Sequence, residues 1–129
     1  MPGDILVDTS VAVDFMRGDP ATGRVIKGAS RLYAAAVVLG ELLYGAERSS
    51  RRAESVARVE SFAAHVEILP IDEETAHHYA TVVTSLKKKG RPIPENDMWI
   101  AAVGLQHQLT VFTRDSHFNE VAGLQLLSG

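Results

Sequence analysis

Short unbroken apolar runs alternate with longer stretches whose apolar residues recur every three or four positions, and this alternation constrains the fold most. Ile5-Leu6-Val7 has the pattern of a parallel strand buried on both faces. Asp8-Thr9-Ser10 ends it, and a short helix is expected through Met16, closed by Gly18. Asp19-Pro20 reads as an N-cap with proline at the first helical position. Arg31–Ala35 is a second strand, Val66–Leu69 a third and Leu109–Phe112 a fourth, with Leu124–Leu127 as an edge candidate. Helices are expected from about Val37 to Arg48 and from Arg52 to Ala64, the latter with Val56, Val59, Phe62 and Ala63 on one face. Asp72 should cap a helix acidic at Glu73-Glu74, striped by Ala76, Tyr79, Ala80, Val83 and Leu86, and finished by Lys87-Lys88-Lys89 and Gly90. After a proline-bearing loop, a helix from about Asn96, its expected cap, runs to Gln108. Such an order predicts an α/β fold. A mainly parallel sheet of four or five strands is flanked by helices in a single domain over 1–129.

Composition narrows the function classes. Thirteen basic against sixteen acidic side chains leave a formal charge of −3, which argues against a protein that coats nucleic acid by charge alone. The absence of cysteine excludes disulfides, zinc–thiolate sites and thiol nucleophiles. The longest apolar run, Tyr33–Leu39, falls far short of the ~20 residues of a membrane-spanning helix. With Asp4 and no cationic leader at the start, the expected setting is the cytoplasm, away from membranes.

In a parallel sheet, sites form outside the carboxyl ends of the strands, where the following helices also begin. Asp8 ends the first strand and Asp115 follows the fourth, while Asp97 opens the helix before it and Glu41 lies in the first turns after the second strand. These four acids, spread over 107 positions, are thus expected on one rim. Taken singly, Asp8 reads as a helix cap, Asp97 as a partner of its helix dipole and Asp115 as a turn residue. Glu41 resists so plain a reading, because it sits among Val37, Val38, Leu42 and Tyr44. Two unit charges ~4 Å apart repel by about 4 kcal/mol at an effective dielectric near 20, so a cluster of four must protonate, spread or hold a cation. Oxygen-only ligands favour a hard ion, Mg²⁺ or in its place Mn²⁺.

Four stretches carry a family resemblance: Ile5-Leu6-Val7-Asp8-Thr9-Ser10, Gly40-Glu41-Leu42-Leu43-Tyr44-Gly45, Asn96-Asp97-Met98-Trp99-Ile100-Ala101-Ala102, and Phe112-Thr113-Arg114-Asp115-Ser116-His117-Phe118. Together, and in this order, they resemble the PIN domain, and within it the VapC toxins of toxin–antitoxin pairs. The resemblance implies a PIN-like fold with its acids at Asp8, Glu41, Asp97 and Asp115, and a hydroxyl from Thr9 or Ser10 beside the first. It further implies a Mg²⁺-dependent endoribonuclease, usually dimeric, held inactive by a cognate VapB-type antitoxin in a larger assembly. Ala35 and Val38 stand where such toxins often place Ser and Thr, which bears on the local cap more than on the metal chemistry.

A metal bound by these acids would lower the pKa of its water and neutralise charge on the scissile phosphate. Water attack needs no 2′-hydroxyl, so the expected products carry a 5′-phosphate and a 3′-hydroxyl. Asp8 and Asp97 are the first choices for direct ligands, with Glu41 and Asp115 binding directly or through water. Asn96 is a supporting candidate, as is Asp14 in the first helix.

With the four acids set aside, thirteen basic face twelve acidic groups, so RNA attraction must be local. Arg91 and Arg114 are the loop candidates for phosphate, and Lys87, Lys88 and Lys89 serve equally well as dipole partners of a helix end. The histidines lack the i, i+4 pairing of a zinc helix, and His117 is expected to act locally. Phe15, Tyr33, Tyr44 and Trp99 read as core or interface. An apolar groove between helices is a place for an antitoxin helix. Rival readings are a housekeeping PIN nuclease in RNA maturation or decay and a Mg²⁺-binding receiver-like signalling module. The receiver scheme wants paired acids after the first strand and a late Lys, whereas here Thr9-Ser10 follows Asp8 and no Lys follows Lys89.

Overall fold

The computed structural model describes residues 3–128. Five parallel strands, β1 (Asp4–Val7), β2 (Arg31–Ala35), β3 (Glu67–Leu69), β4 (Thr110–Phe112) and β5 (Leu126–Leu127), form one sheet in the order β3-β2-β1-β4-β5. Helices α1 (Thr9–Met16), α2 (Pro20–Lys27), α3 (Ala36–Glu47), α4 (Arg52–Ala64), α5 (Glu73–Lys89) and α6 (Glu95–His107) connect them, and a 3-10 helix covers Ser116–Glu120. The α/β expectation and the edge strand are both met. With β1 in the centre, Ile5, Leu6 and Val7 are covered on both faces, as their unbroken apolar run requires. Val111, Phe112, Ile100 and Phe118 are fully buried beside them.

The helix boundaries follow local chemistry. Asp8 caps α1 by accepting from the Val11 N–H at 2.9 Å, and Asp19 caps α2 by accepting from the Thr22 N–H at 3.0 Å with Pro20 behind it. Asp72 and Thr75 form a reciprocal capping box at α5, and Gly90 ends it in the left-handed region at φ 66°.

Two expectations are corrected. Helix α6 starts one residue earlier, with Pro94 at its N-cap, so Asn96 is an exposed first-turn residue and caps nothing. The buried face of α5 runs through Thr75, Val82 and Leu86, while Ala76 and Ala80 are exposed. Thr75 is drawn inward because its hydroxyl has partners there in Asp72 and Gln106, which removes the cost of burying it. Trp99 stacks on Tyr79 at 3.7 Å between α6 and α5, and Phe15 meets Phe62 edge-on, in line with packing roles. Tyr44 is 64% exposed with Arg48 over its ring, and so lies outside the core.

Gly104 sets how closely α6 approaches the sheet. A β-carbon there would lie 2.9 Å from Val111 Cγ2 and 3.0 Å from Leu124 Cδ1. Overpacking of this kind costs about 1–3 kcal/mol and outweighs the ~1 kcal/mol that alanine gains in a helix. Gly104→Ala is therefore expected to lower the melting temperature by several degrees in a thermal melt. An unchanged or higher value would contradict this packing.

Candidate metal centre

Asp8 leaves β1 at the carboxyl edge of the sheet and is 1% exposed. While one of its oxygens caps α1, the other accepts from the Thr113 hydroxyl at 2.5 Å. The Thr113 oxygen in turn accepts from the Asp115 N–H at 3.0 Å. Thr113 thus ties the end of β1 to the turn beyond β4 and fixes two of the four acids relative to each other. Glu41, in the second turn of α3, is half-buried and accepts from the Thr9 hydroxyl at 2.5 Å. Asp97, in the first turn of α6, faces the same way, and its Oδ2 lies 2.6 Å from His117 Nε2. Asp115 Oδ2 is 4.0 Å from that nitrogen.

All four acids line one cleft of about 380 Å³, together with Thr9, Ser10 and Asn96. Strand ends supply Asp8 and Asp115 and helix starts supply Glu41 and Asp97, which is the geometry that parallel strands dictate at this edge. An adjoining cavity of about 300 Å³ between α1, α3 and α4 shares Thr9 and Glu41, and is otherwise lined by Val13, Met16, Leu42 and Val59 with Arg17 and Arg58.

Burial pushes the Asp8 carboxyl above the usual aspartate range, and the charges of Asp115 and Asp97 add to this. The hydrogen bonds from Thr113 and Val11 oppose it. Burial likewise raises Asp97, helped by Asp115 and Glu41 and opposed by His117. Among the described residues, the arginine and lysine ion pairs fall elsewhere, so no guanidinium or ammonium neutralises the cluster. The acids offer hard carboxylate oxygens, the His117 imidazole is their ion-pair partner among the described residues, and the cleft is open. These are the conditions a divalent cation fits.

The remaining candidates separate into two groups. Arg114 turns away from the cleft: its guanidinium pairs with Asp14, reaches Asp19 at 3.2 Å and donates to the Thr22 hydroxyl at 2.6 Å. The guanidinium thereby ties the β4 turn to the α1–α2 junction, where Asp14 is also engaged. The planar fork can meet two carboxylates at once, which a loop position does not disclose. Lys87, Lys88 and Arg91 are exposed. Lys89 Nζ donates to the Glu120 carbonyl at 2.7 Å, bringing the end of α5 against the 3-10 helix beyond Asp115. Sequence reasoning missed Thr113 as a bridge and His117 as the partner of Asp97. The signal for both was their distance of two residues from Asp115, alternate positions flanking one acid.

A family model described as PIN domain matches residues 5–124. The chain belongs to the PIN-domain family. Within that family its relatives carry the name VapC. It is 34% identical over 125 residues to "Ribonuclease VapC5" of Mycobacterium tuberculosis, covering 95% of this chain and 90% of that one. It is 28% identical over 123 residues to the "tRNA(fMet)-specific endonuclease VapC" of Shigella flexneri, covering 93% of each. Among solved structures it resembles the DNA-bound VapBC of Salmonella typhimurium, with a TM-score of 0.90, 27% identity and 98% of each chain covered.

Proposed function

We propose that this chain is a Mg²⁺-dependent endoribonuclease and the toxin of a toxin–antitoxin pair. The convergence of Asp8, Glu41, Asp97 and Asp115 on one cleft, with no arginine or lysine ion pair to them among the described residues, carries the reading. The Mycobacterium and Shigella relatives, named as a ribonuclease and a tRNA-specific endonuclease, support it. The Salmonella complex supports a VapB-type antitoxin as partner.

In this reading Asp8 and Asp97 hold the ion directly, and Glu41 and Asp115 hold it directly or through water. A bound Mg²⁺, or Mn²⁺ in its place, supplies Lewis acidity at the scissile phosphate and a water of lowered pKa. Thr113 and Val11 fix the Asp8 oxygens, the Thr9 hydroxyl steadies Glu41, and His117 stands beside Asp97 at the rim. A nucleophile derived from water leaves a 5′-phosphate and a 3′-hydroxyl. Lys87, Lys88, Lys89 and Arg91 draw the RNA backbone toward the rim as long-range cations. Next to the centre, the apolar cavity that shares Glu41 suits an inhibitory antitoxin segment. A dimer in the cytoplasm, one domain per chain, completes the picture.

The test is cleavage of defined RNAs by purified, antitoxin-free protein with and without Mg²⁺, with the new ends sequenced. Mg²⁺-dependent cuts bearing 5′-phosphates, and growth arrest on expression relieved by the antitoxin, are expected. Cyclic phosphate ends, or activity unaffected by chelation, would rule out this chemistry; cleavage without growth arrest would point to a housekeeping nuclease.

Thr113→Val removes the donor to Asp8 with little change in volume. Outer hydrogen-bond partners of metal ligands typically matter by about 10–100-fold, so cleavage at limiting Mg²⁺ should fall by that factor while Thr113→Ser stays near the wild type. Equal activity of the Val and Ser variants would show that the bridge is dispensable.

A further inference from the structure

We infer that His117 supplies a nitrogen ligand to the divalent ion, so that the centre is not built from oxygen alone; this rests on the metal-dependent reading above. Its Nε2 lies 2.6 Å from Asp97 Oδ2 and 4.0 Å from Asp115 Oδ2. One donor atom from each of Asp97, Asp115 and His117 falls within 4.8 Å of the others. Around an ion with bonds of about 2.1 Å, adjacent donors sit about 3 Å apart and opposite ones about 4.2 Å apart. The three donors lie slightly wider than one coordination sphere, so small side-chain rotations must draw the widest pair together as well as open the short Asp97–His117 contact.

The fold holds the imidazole on this side. His117 follows Asp115 by two residues in the 3-10 helix, and the next residue, Phe118, is fully buried and anchors the segment to the core. Asp97 lines the cleft, and the His117 ring, 32% exposed, reaches the centre through its contact with Asp97. Imidazole best suits Zn²⁺, Fe²⁺ and Ni²⁺, and of the two ions that favour carboxylate oxygen Mn²⁺ accepts a nitrogen ligand more readily than Mg²⁺. A site with this donor should thus favour Mn²⁺ more than an all-carboxylate site does.

The experiment is electron spin-echo envelope modulation of Mn²⁺ bound to the full chain, wild type and His117→Gln, with Mn²⁺ and Mg²⁺ dissociation constants measured in parallel. Modulation from a directly bound ¹⁴N is expected in the wild type and lost in the variant. The Mn²⁺ dissociation constant should rise about 10-fold or more, and that of Mg²⁺ less than about threefold. Mn²⁺ bound without ¹⁴N modulation, or modulation that persists in His117→Gln, overturns the ligand role and leaves the acidic site standing. Failure of Mn²⁺ to bind, or binding that Asp8→Asn leaves unaltered, overturns both.

Discussion

Asp97→Asn is expected to abolish Mg²⁺-dependent RNA cleavage, by at least about a hundredfold to a thousandfold, and to raise the melting temperature of the metal-free protein. The two effects have one cause. Asp97 is partly buried beside Asp115 and Glu41, and its carboxyl is pushed upward, which means that the folded chain resists its negative charge. An amide of the same shape removes that charge and still accepts from His117, so the fold is relieved while the metal loses a ligand. Asp8→Asn should be equally inactive, with a melting temperature close to the wild type. Asparagine caps a helix about as well as aspartate, but it supplies one acceptor where Val11 and Thr113 use two. Steady-state cleavage and thermal melts in EDTA check both variants. Activity near the wild-type level in either would remove that acid from the site.

Metal should also reverse the pH dependence of stability. Without it, the raised Asp8 and Asp97 make the folded chain bind more protons than the unfolded chain just above the ordinary value of 3.8. Stability then falls as pH rises through that interval toward the raised values. Asp19, Glu47 and Asp72 act oppositely: each is lowered, chiefly by hydrogen bonds from Thr22, Arg52 and Thr75 respectively, so their contributions fade only at more acid pH. In EDTA the melting temperature should therefore rise as pH falls through the raised Asp8 and Asp97 toward 3.8, and turn down once Asp19, Glu47 and Asp72 protonate. Mg²⁺ at about 100 times its dissociation constant adds about 2.7 kcal/mol, roughly 10 °C for a chain of this size. Since protons compete for the same carboxylates, this gain is lost on acidification. Melts across pH, with and without Mg²⁺, test the sign: parallel profiles would mean that the ion does not bind these groups.

Much of the architecture is readable in the chain because each rule involved is local. Ile5-Leu6-Val7 announces a strand buried on both faces, and Asp19-Pro20 and Lys89-Gly90 mark helix ends by chemistry confined to one turn. Asp8, Glu41, Asp97 and Asp115 are legible for a related reason: in a parallel sheet, strand ends and helix starts share an edge, so position along an element stands in for position in space. What could not be read depends on side-chain reach across the fold. Thr113 bonds Asp8 from 105 positions away, and Arg114 finds Asp14 and Asp19 across 100 and 95. The inward face of α5 depends on Gln106 meeting Thr75, a polar partnership that no apolar stripe encodes. Tyr44 likewise shows that an aromatic on a helix is no guarantee of burial.

The most direct measurement is an anomalous difference map from crystals of the antitoxin-free protein grown with Mn²⁺. A peak in the cleft, bonded to Asp8 and Asp97 with Glu41 and Asp115 in its direct or water-bridged shell, is the expected result. A map with no peak there at saturating Mn²⁺, or with the ion held only by surface carboxylates away from the carboxyl edge of the sheet, would contradict it.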